Sequence, residues 1–126
     1  MARVLVIEDQ PSIGMVFKVA LSEEGHTVDV FRDGKSGMEG LAREPRPDII
    51  LVDLLMPGIS GKDVVEKLQV DSRLRDIPVA IISGCIPGPD VLPREGSFQA
   101  FISKPFDLLE VVELVTRLTA NKQICA

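Results

Sequence analysis

Apolar residues fall along the chain in two rhythms. Five short runs rich in Val and Ile occupy residues 4–7, 27–31, 49–52, 79–82 and 100–102. Most are apolar throughout, which suits strands covered on both faces of a parallel sheet better than a hairpin with one wet face. Between the runs the spacing lengthens. Ile13, Val16, Phe17, Ala20 and Leu21 recur at i, i+3, i+4, i+7 and i+8. That predicts a helix with this stripe turned inward and an end near Gly25, where a left-handed residue costs little.

A weaker helix is predicted over residues 35–43, with Met38, Leu41 and Ala42 inward and Pro45 and Pro47 as the stop. Ser60 followed by Asp63 reads as a capping box ahead of Val64, Val65 and Leu68. Asp107 with Glu110 repeats the signal ahead of Leu108, Val111, Val112, Val115 and Leu118. Between residues 83 and 98 the rhythm fails. Pro87, Pro89 and Pro93 alternate with Gly84, Gly88 and Gly96 where the alternation asks for another helix, and each interior proline costs a helix about 3 kcal/mol. At most one short turn is expected there, around residues 89–94. The whole pattern predicts an α/β fold: a doubly wound, five-stranded parallel sheet in three α/β/α layers, with right-handed crossovers and an irregular or shortened fourth helix.

Composition acts mainly by exclusion. The 126 residues fit one domain spanning 1–126, with a real core and no room for a second domain of ordinary size. Met1 and the short tail after Leu118 favour a complete gene product. Fourteen Lys and Arg against nineteen Asp and Glu give a net charge of −5, with no basic run, so binding to nucleic acid through its phosphates is not expected. None of the apolar runs exceeds five residues, far short of the ~20 of a membrane helix. The first run halts at Glu8 and Asp9 with no cleavage site behind it, so the expected protein is cytoplasmic and not inserted in a membrane. Cys85 and Cys125 show no CxxC spacing and share the chain with one histidine; neither zinc nor a disulfide framework is supported. His26 is expected to be an exposed loop residue. Trp and Tyr are absent, which disfavours a stacking surface for bases.

In a sheet of this kind the ligand crevice opens beyond the carboxyl ends of the strands, at the switch point of strand order. Standing there are Glu8 and Asp9 after the first run, Asp53 after the third, Ser83 after the fourth, and Lys104 with Pro105 after the fifth. Crowded carboxylates need an offsetting charge, and a bound divalent cation is the usual one. A ligand set of oxygens alone points to Mg²⁺. Singly, each residue has an innocent reading: a loop-capping Asp53, acids beginning a helix beside Pro11, a loop hydroxyl, a solvated lysine. Their coincidence in order at the strand ends is the signal.

With the acidic pair in Val6-Ile7-Glu8-Asp9, the stretch Asp53-Leu54-Leu55-Met56-Pro57-Gly58-Ile59-Ser60-Gly61, the hydroxyl at Ser83, and Phe101-Ile102-Ser103-Lys104-Pro105-Phe106, the sequence resembles the receiver domain of two-component response regulators over essentially its whole length. The resemblance implies a flavodoxin-like fold in a stand-alone regulator. It implies that Asp53 accepts a phosphoryl group from a sensor histidine kinase, a histidine phosphotransfer protein or a small acyl phosphate. Mg²⁺ would be held by Asp9, Asp53 and the backbone carbonyl of Leu55, with Glu8 acting through water. Lys104 would neutralise phosphoryl oxygens, Ser83 would bond the new phosphoryl group, and Phe101 would change rotamer in response. A cis bond before Pro105 and a loop shaped by Met56, Pro57 and Gly61 complete the pattern. Further implications are an unknown downstream protein partner and a monomer or weak dimer. The resemblance implies no enzyme in the usual sense, since the chain would catalyse only its own phosphorylation and slow self-dephosphorylation. Leu55 and Cys85 stand where family members help or hinder the attacking water, and neither can orient it.

Rival readings differ in cheap ways. A degenerate receiver that binds partners without phosphorylation usually lacks a site residue, and none is lost here. An aspartate-nucleophile phosphatase wants a DxD arrangement, but Leu54 and Leu55 follow Asp53. A flavodoxin-like cofactor carrier wants a hydroxyl- and Gly-rich phosphate loop where this chain has Glu8-Asp9-Gln10-Pro11. The prolines after Ser83 depart from the family's usual regular helix, so partner recognition is expected to be atypical and the segment to order on phosphorylation or docking.

Overall fold

The two rhythms separate into strands and helices in the computed structural model, which describes residues 2–43, 45–56, 58–84, 92–94 and 96–124, with side chains up to residue 120. In chain order the elements are β1 (Arg3–Ile7), α1 (Pro11–Glu23), β2 (Thr27–Phe31), α2 (Gly34–Leu41), β3 (Ile49–Asp53), α3 (Gly61–Gln69), β4 (Val79–Ser83), β5 (Ala100–Ser103) and α4 (Leu108–Ile124). The strands form one sheet in the order β2-β1-β3-β4-β5, and every pairing is parallel. The order reverses at β1, so the crevice between the ends of β1 and β3 is the switch point.

Strand periodicity splits the core into two layers. Val4 and Val6, Ile49 and Leu51, and Ala80 and Ile82 face one side, where they meet Phe17 and Leu21 of α1 and Val111, Leu114 and Val115 of α4. The alternate residues, Leu5 and Ile7, Ile50 and Val52, and Val79 and Ile81, face the other side with Leu41 of α2 and Val64, Val65 and Leu68 of α3. Burying each such aliphatic side chain contributes about 1.5–3 kcal/mol, and both layers draw on β1, β3 and β4. These three strands are therefore the rigid platform. β2 is an edge strand with Thr27 and Asp29 exposed.

Local chemistry marks the helix ends. Pro11 opens α1 at its first position, where its missing N–H costs nothing. Gly25, just beyond that helix, has φ 91. Asp33 Oδ1 accepts a 2.7 Å bond from the Ser36 N–H at the start of α2, and Ser60 Oγ accepts from Asp63 N–H at 3.2 Å at the start of α3. Asp107 Oδ1 accepts from Leu109 N–H at 2.9 Å.

Two inward stripes differ from the periodicity. Val16 is 42% exposed and Ala20 only half-buried, while Gly14 is buried. A Cβ on Gly14 would stand 2.8 Å from Val30 Cγ1, so this glycine lets α1 lie against β2, and the helix is rotated toward it. In α2 the buried positions are Gly34, Gly37 and Leu41, and Ala42 is exposed as the C-cap. Glycines that admit close packing are invisible to a pattern built on apolar side chains.

β5 follows β4 with no helix between them among the described residues. Leu92 and Phe98 from that connection pack, partly buried, on the α2/α3 side. The turn expected around residues 89–94 lies largely outside the described residues, as do Pro57, Cys85, Pro87 and Cys125. Among the described residues no helix is long and apolar enough to cross a membrane.

His26 is a correction. It is half-buried, and its Nδ1 accepts a 3.0 Å hydrogen bond from the Ala2 backbone N–H, pinning the start of β1 to the end of α1. Burial holds its pKa below the ordinary 6.5. Since the unfolded chain then binds the proton more readily, stability is full above about pH 6.5 and falls as the pH drops through and below that value. Urea denaturation of wild type and His26→Gln at several pH values checks this: the variant is expected to lose this slope.

Candidate functional site

Hydrophobic burial of β1, β3 and β4 brings their polar ends together. Glu8, directly after β1, is 2% exposed and Asp53, the last residue of β3, is 5% exposed. Asp9 is half-buried. Ligand oxygens of Glu8, Asp9 and Asp53 all lie within 4.8 Å of one another. Ser83, the last residue of β4, is fully buried, and its carbonyl accepts a 2.7 Å bond from the Lys104 backbone N–H. The Lys104–Pro105 peptide bond is cis. Beyond it, the ring of Phe106 stacks on Phe17, centroids 5.1 Å apart, tying this loop to α1.

Lys104 Nζ is 2.9 Å from Glu8 Oε1 and 3.3 Å from Asp53 Oδ2. One ammonium thus faces two nearly buried carboxylates. Burial pushes the Glu8 carboxyl up from 4.5 to about 7, against the opposing pull of Lys104, and Asp53 adds to the rise. For Lys104, burial works downward, but Glu8 and Asp53 outweigh it and the net shift is upward. Glu8 Oε1 has this charge partner but no well-directed donor. Three converging carboxylates, one with an underserved buried oxygen, are a donor set that fits a hard divalent cation.

Gly61 positions Asp53. Its N–H donates to Leu54 O at 2.9 Å, and a Cβ there would stand 2.3 Å from Asp53 O and 2.7 Å from Leu54 Cα. These are backbone atoms that cannot swing aside. Gly61→Ala is expected to cost about 1–3 kcal/mol, read as a lower urea midpoint; an unchanged midpoint would mean that α3 retreats freely from β3.

Glu8, Asp9, Asp53 and Lys104 meet at the crevice, with Ser83 buried at the adjoining strand end. Phe101 is half-buried and packs on the α2/α3 side of the sheet. Leu55 is 53% exposed, and its N–H donates to Asp53 Oδ1 at 3.2 Å. Pro57 lies outside the described residues. Sequence reasoning missed Gln10, whose Oε1 accepts from Lys104 Nζ at 3.3 Å. The available signal was a glutamine before Pro11, where a shorter capping residue is preferred.

The family model for the response regulator receiver domain matches residues 4–116. The chain is 34% identical over 122 residues to the DNA-binding response regulator MtrA of Mycolicibacterium smegmatis, covering 95% of this chain and 52% of that protein. It is 34% identical over 113 residues to the polar-differentiation response regulator DivK of Brucella anthropi, covering 89% of this chain and 91% of that one. The chain therefore spans about half the length of the first relative and most of the second. The crystal structure of the signal receiver domain of a signal transduction histidine kinase from Syntrophus aciditrophicus superposes with a TM-score of 0.86 at 29% identity, over 96% of this chain and 92% of that one. Together with the strand order and the acidic crevice, these matches place the chain in the response regulator receiver domain family of two-component signalling.

Proposed function

We propose that residues 1–126 work as one receiver unit of a cytoplasmic response regulator, which takes a phosphoryl group onto Asp53 and signals through protein contacts that depend on it. The observation that carries this reading is the convergence of Asp53, two further carboxylates and the Lys104 ammonium at one crevice. An Asp53 carboxylate oxygen attacks the phosphorus of a phosphohistidine or small acyl phosphate. The new O–P bond forms as the donor's P–N or P–O bond breaks, and the imidazole or carboxylate leaves with the electron pair. Lys104 neutralises phosphoryl oxygens as charge builds on them. Asp9 and Asp53, with the Leu55 carbonyl, would hold Mg²⁺ directly and Glu8 through water, and the ion when bound would supply positive charge to the phosphoryl oxygens.

Ser83 donates to a phosphoryl oxygen and Phe101 repacks in response, so a local charge biases a two-state surface. Partners are a histidine kinase or phosphotransfer protein upstream and a protein downstream; neither nucleic acid nor membrane is engaged, and the unit is a monomer or weak dimer. Self-dephosphorylation is slow, because the exposed Leu55 cannot orient water.

Incubation with Mg²⁺ and acetyl phosphate, or with a phosphohistidine donor, followed by intact mass is the test. One phosphoryl group, labile to hydroxylamine as an acyl phosphate is and lost over minutes or longer once donor is removed, is the expected result. No gain from either donor would replace this reading with a phosphorylation-independent binding module.

A further inference from the structure

Building on the phosphoacceptor reading, we propose that Gln10 is a positioning residue for Lys104, its carboxamide oxygen setting the direction in which the ammonium presents its protons at the mouth of the crevice. Gln10 is the N-cap of α1, with φ −87 and ψ 111 and no side-chain capping bond. Ser, Thr, Asp and Asn are favoured at that position because a short side chain brings its oxygen onto an orphan helix N–H. Here the longer side chain leaves the helix uncapped and reaches a residue 94 positions away, Lys104, at 3.3 Å. A local rule is broken with no local gain, and such breaks concentrate at functional sites.

The backbone of Gln10 makes the reach a rigid one. Its N–H donates to Glu8 Oε2 at 3.1 Å, and its carbonyl accepts from Ile13 and Gly14 N–H, each at 3.1 Å. The side chain therefore swings from a fixed point and is exposed, whereas Glu8 is buried. Three oxygens compete for the ammonium. Glu8 Oε1 is nearest at 2.9 Å, yet the directed hydrogen bonds go to Asp53 Oδ2 and Gln10 Oε1. Gln10 is the neutral member of the three, and so the acceptor that gives up its Lys104 N–H to a phosphoryl oxygen with least loss. Without it, the ammonium turns onto the underserved Glu8 oxygen and away from the mouth.

Gln10→Ser and Gln10→Met separate this role from a structural one. Serine supplies the missing cap and is expected to fold at least as stably as wild type; methionine keeps the length and loses the acceptor. Both are expected to take up phosphoryl groups from acetyl phosphate with Mg²⁺ roughly three- to tenfold more slowly, followed by intact mass, and to add nothing in a Lys104→Met background, as two residues acting through one contact should. Variants that match wild type, or that slow the Lys104→Met protein by the same factor, overturn the inference. A wild type that gains nothing removes the phosphoacceptor reading and this inference together, whereas normal wild-type uptake with unaffected variants removes only the inference.

Discussion

Asp53→Asn is expected to abolish phosphoryl gain outright, with wild-type protein carrying one group under the same Mg²⁺ and acetyl phosphate. An amide has no anionic oxygen to attack phosphorus, so the loss is one of chemistry and not of fold. The same substitution should leave the metal-free protein more stable above neutral pH. Glu8 is buried, with its carboxyl raised from 4.5 to about 7, partly by Asp53. A carboxyl raised on folding holds its proton in the folded state where the unfolded state has lost it. Its stabilising contribution is therefore complete below about pH 4.5 and is lost as the pH climbs to and through about 7.

Removing the Asp53 charge lowers the Glu8 pKa and flattens that loss. Urea midpoints of chelator-treated wild type and Asp53→Asn, measured from pH 5 to 8.5, read the difference directly. Curves that run parallel across the range would show that Asp53 and Glu8 do not sense each other. Phosphoryl gain by the variant would place the acceptor elsewhere. Added Mg²⁺ should raise the wild-type midpoint by the usual linkage, RT ln(1 + [L]/Kd), and raise that of Asp53→Asn much less.

The sheet and its site were legible because both are written in short-range pattern. Val- and Ile-rich runs that are apolar on both faces specify central parallel strands, and parallel strands place their carboxyl ends on one side, so the residue after each run is the one to read. Glu8, Asp53 and Lys104 were found that way. What escaped has a common physical origin: it depends on approach distances that no side-chain pattern encodes. The rotation of α1 away from its Val16 stripe follows from Gly14 against Val30, and the seat of α3 against β3 follows from Gly61. The half-burial of His26 escaped because its donor, the Ala2 backbone N–H just before β1, lies 24 residues away in sequence. Gln10 was passed over because its partner lies at the far end of the chain. An uncapped helix start beside an acidic pair was the one local hint.

Lys104→Met keeps the length of the side chain and deletes its charge, and phosphoryl gain is expected to slow by roughly 10²–10³-fold, the range for losing one preorganised donor to a developing oxyanion. The loss should fall on the chemical step, since the carboxylates that would hold the metal remain. Stability should move with it in a pH-dependent way. The ammonium sits within 3.3 Å of two carboxylates that are 2% and 6% exposed at their side chains, and removing one partner of a buried pair costs about 3–5 kcal/mol when the orphan stays charged. Glu8 has an escape, because it can take up a proton. The cost is therefore small near pH 5, where protonation is easy, and approaches its full value above pH 8 in chelator. Mg²⁺ recovers part of it by returning positive charge to the crevice. Wild-type rates of phosphoryl gain in Lys104→Met would remove the lysine from the chemistry. A stability loss independent of pH and metal would mean that its aliphatic stem, and not its charge, holds the β5 end in place.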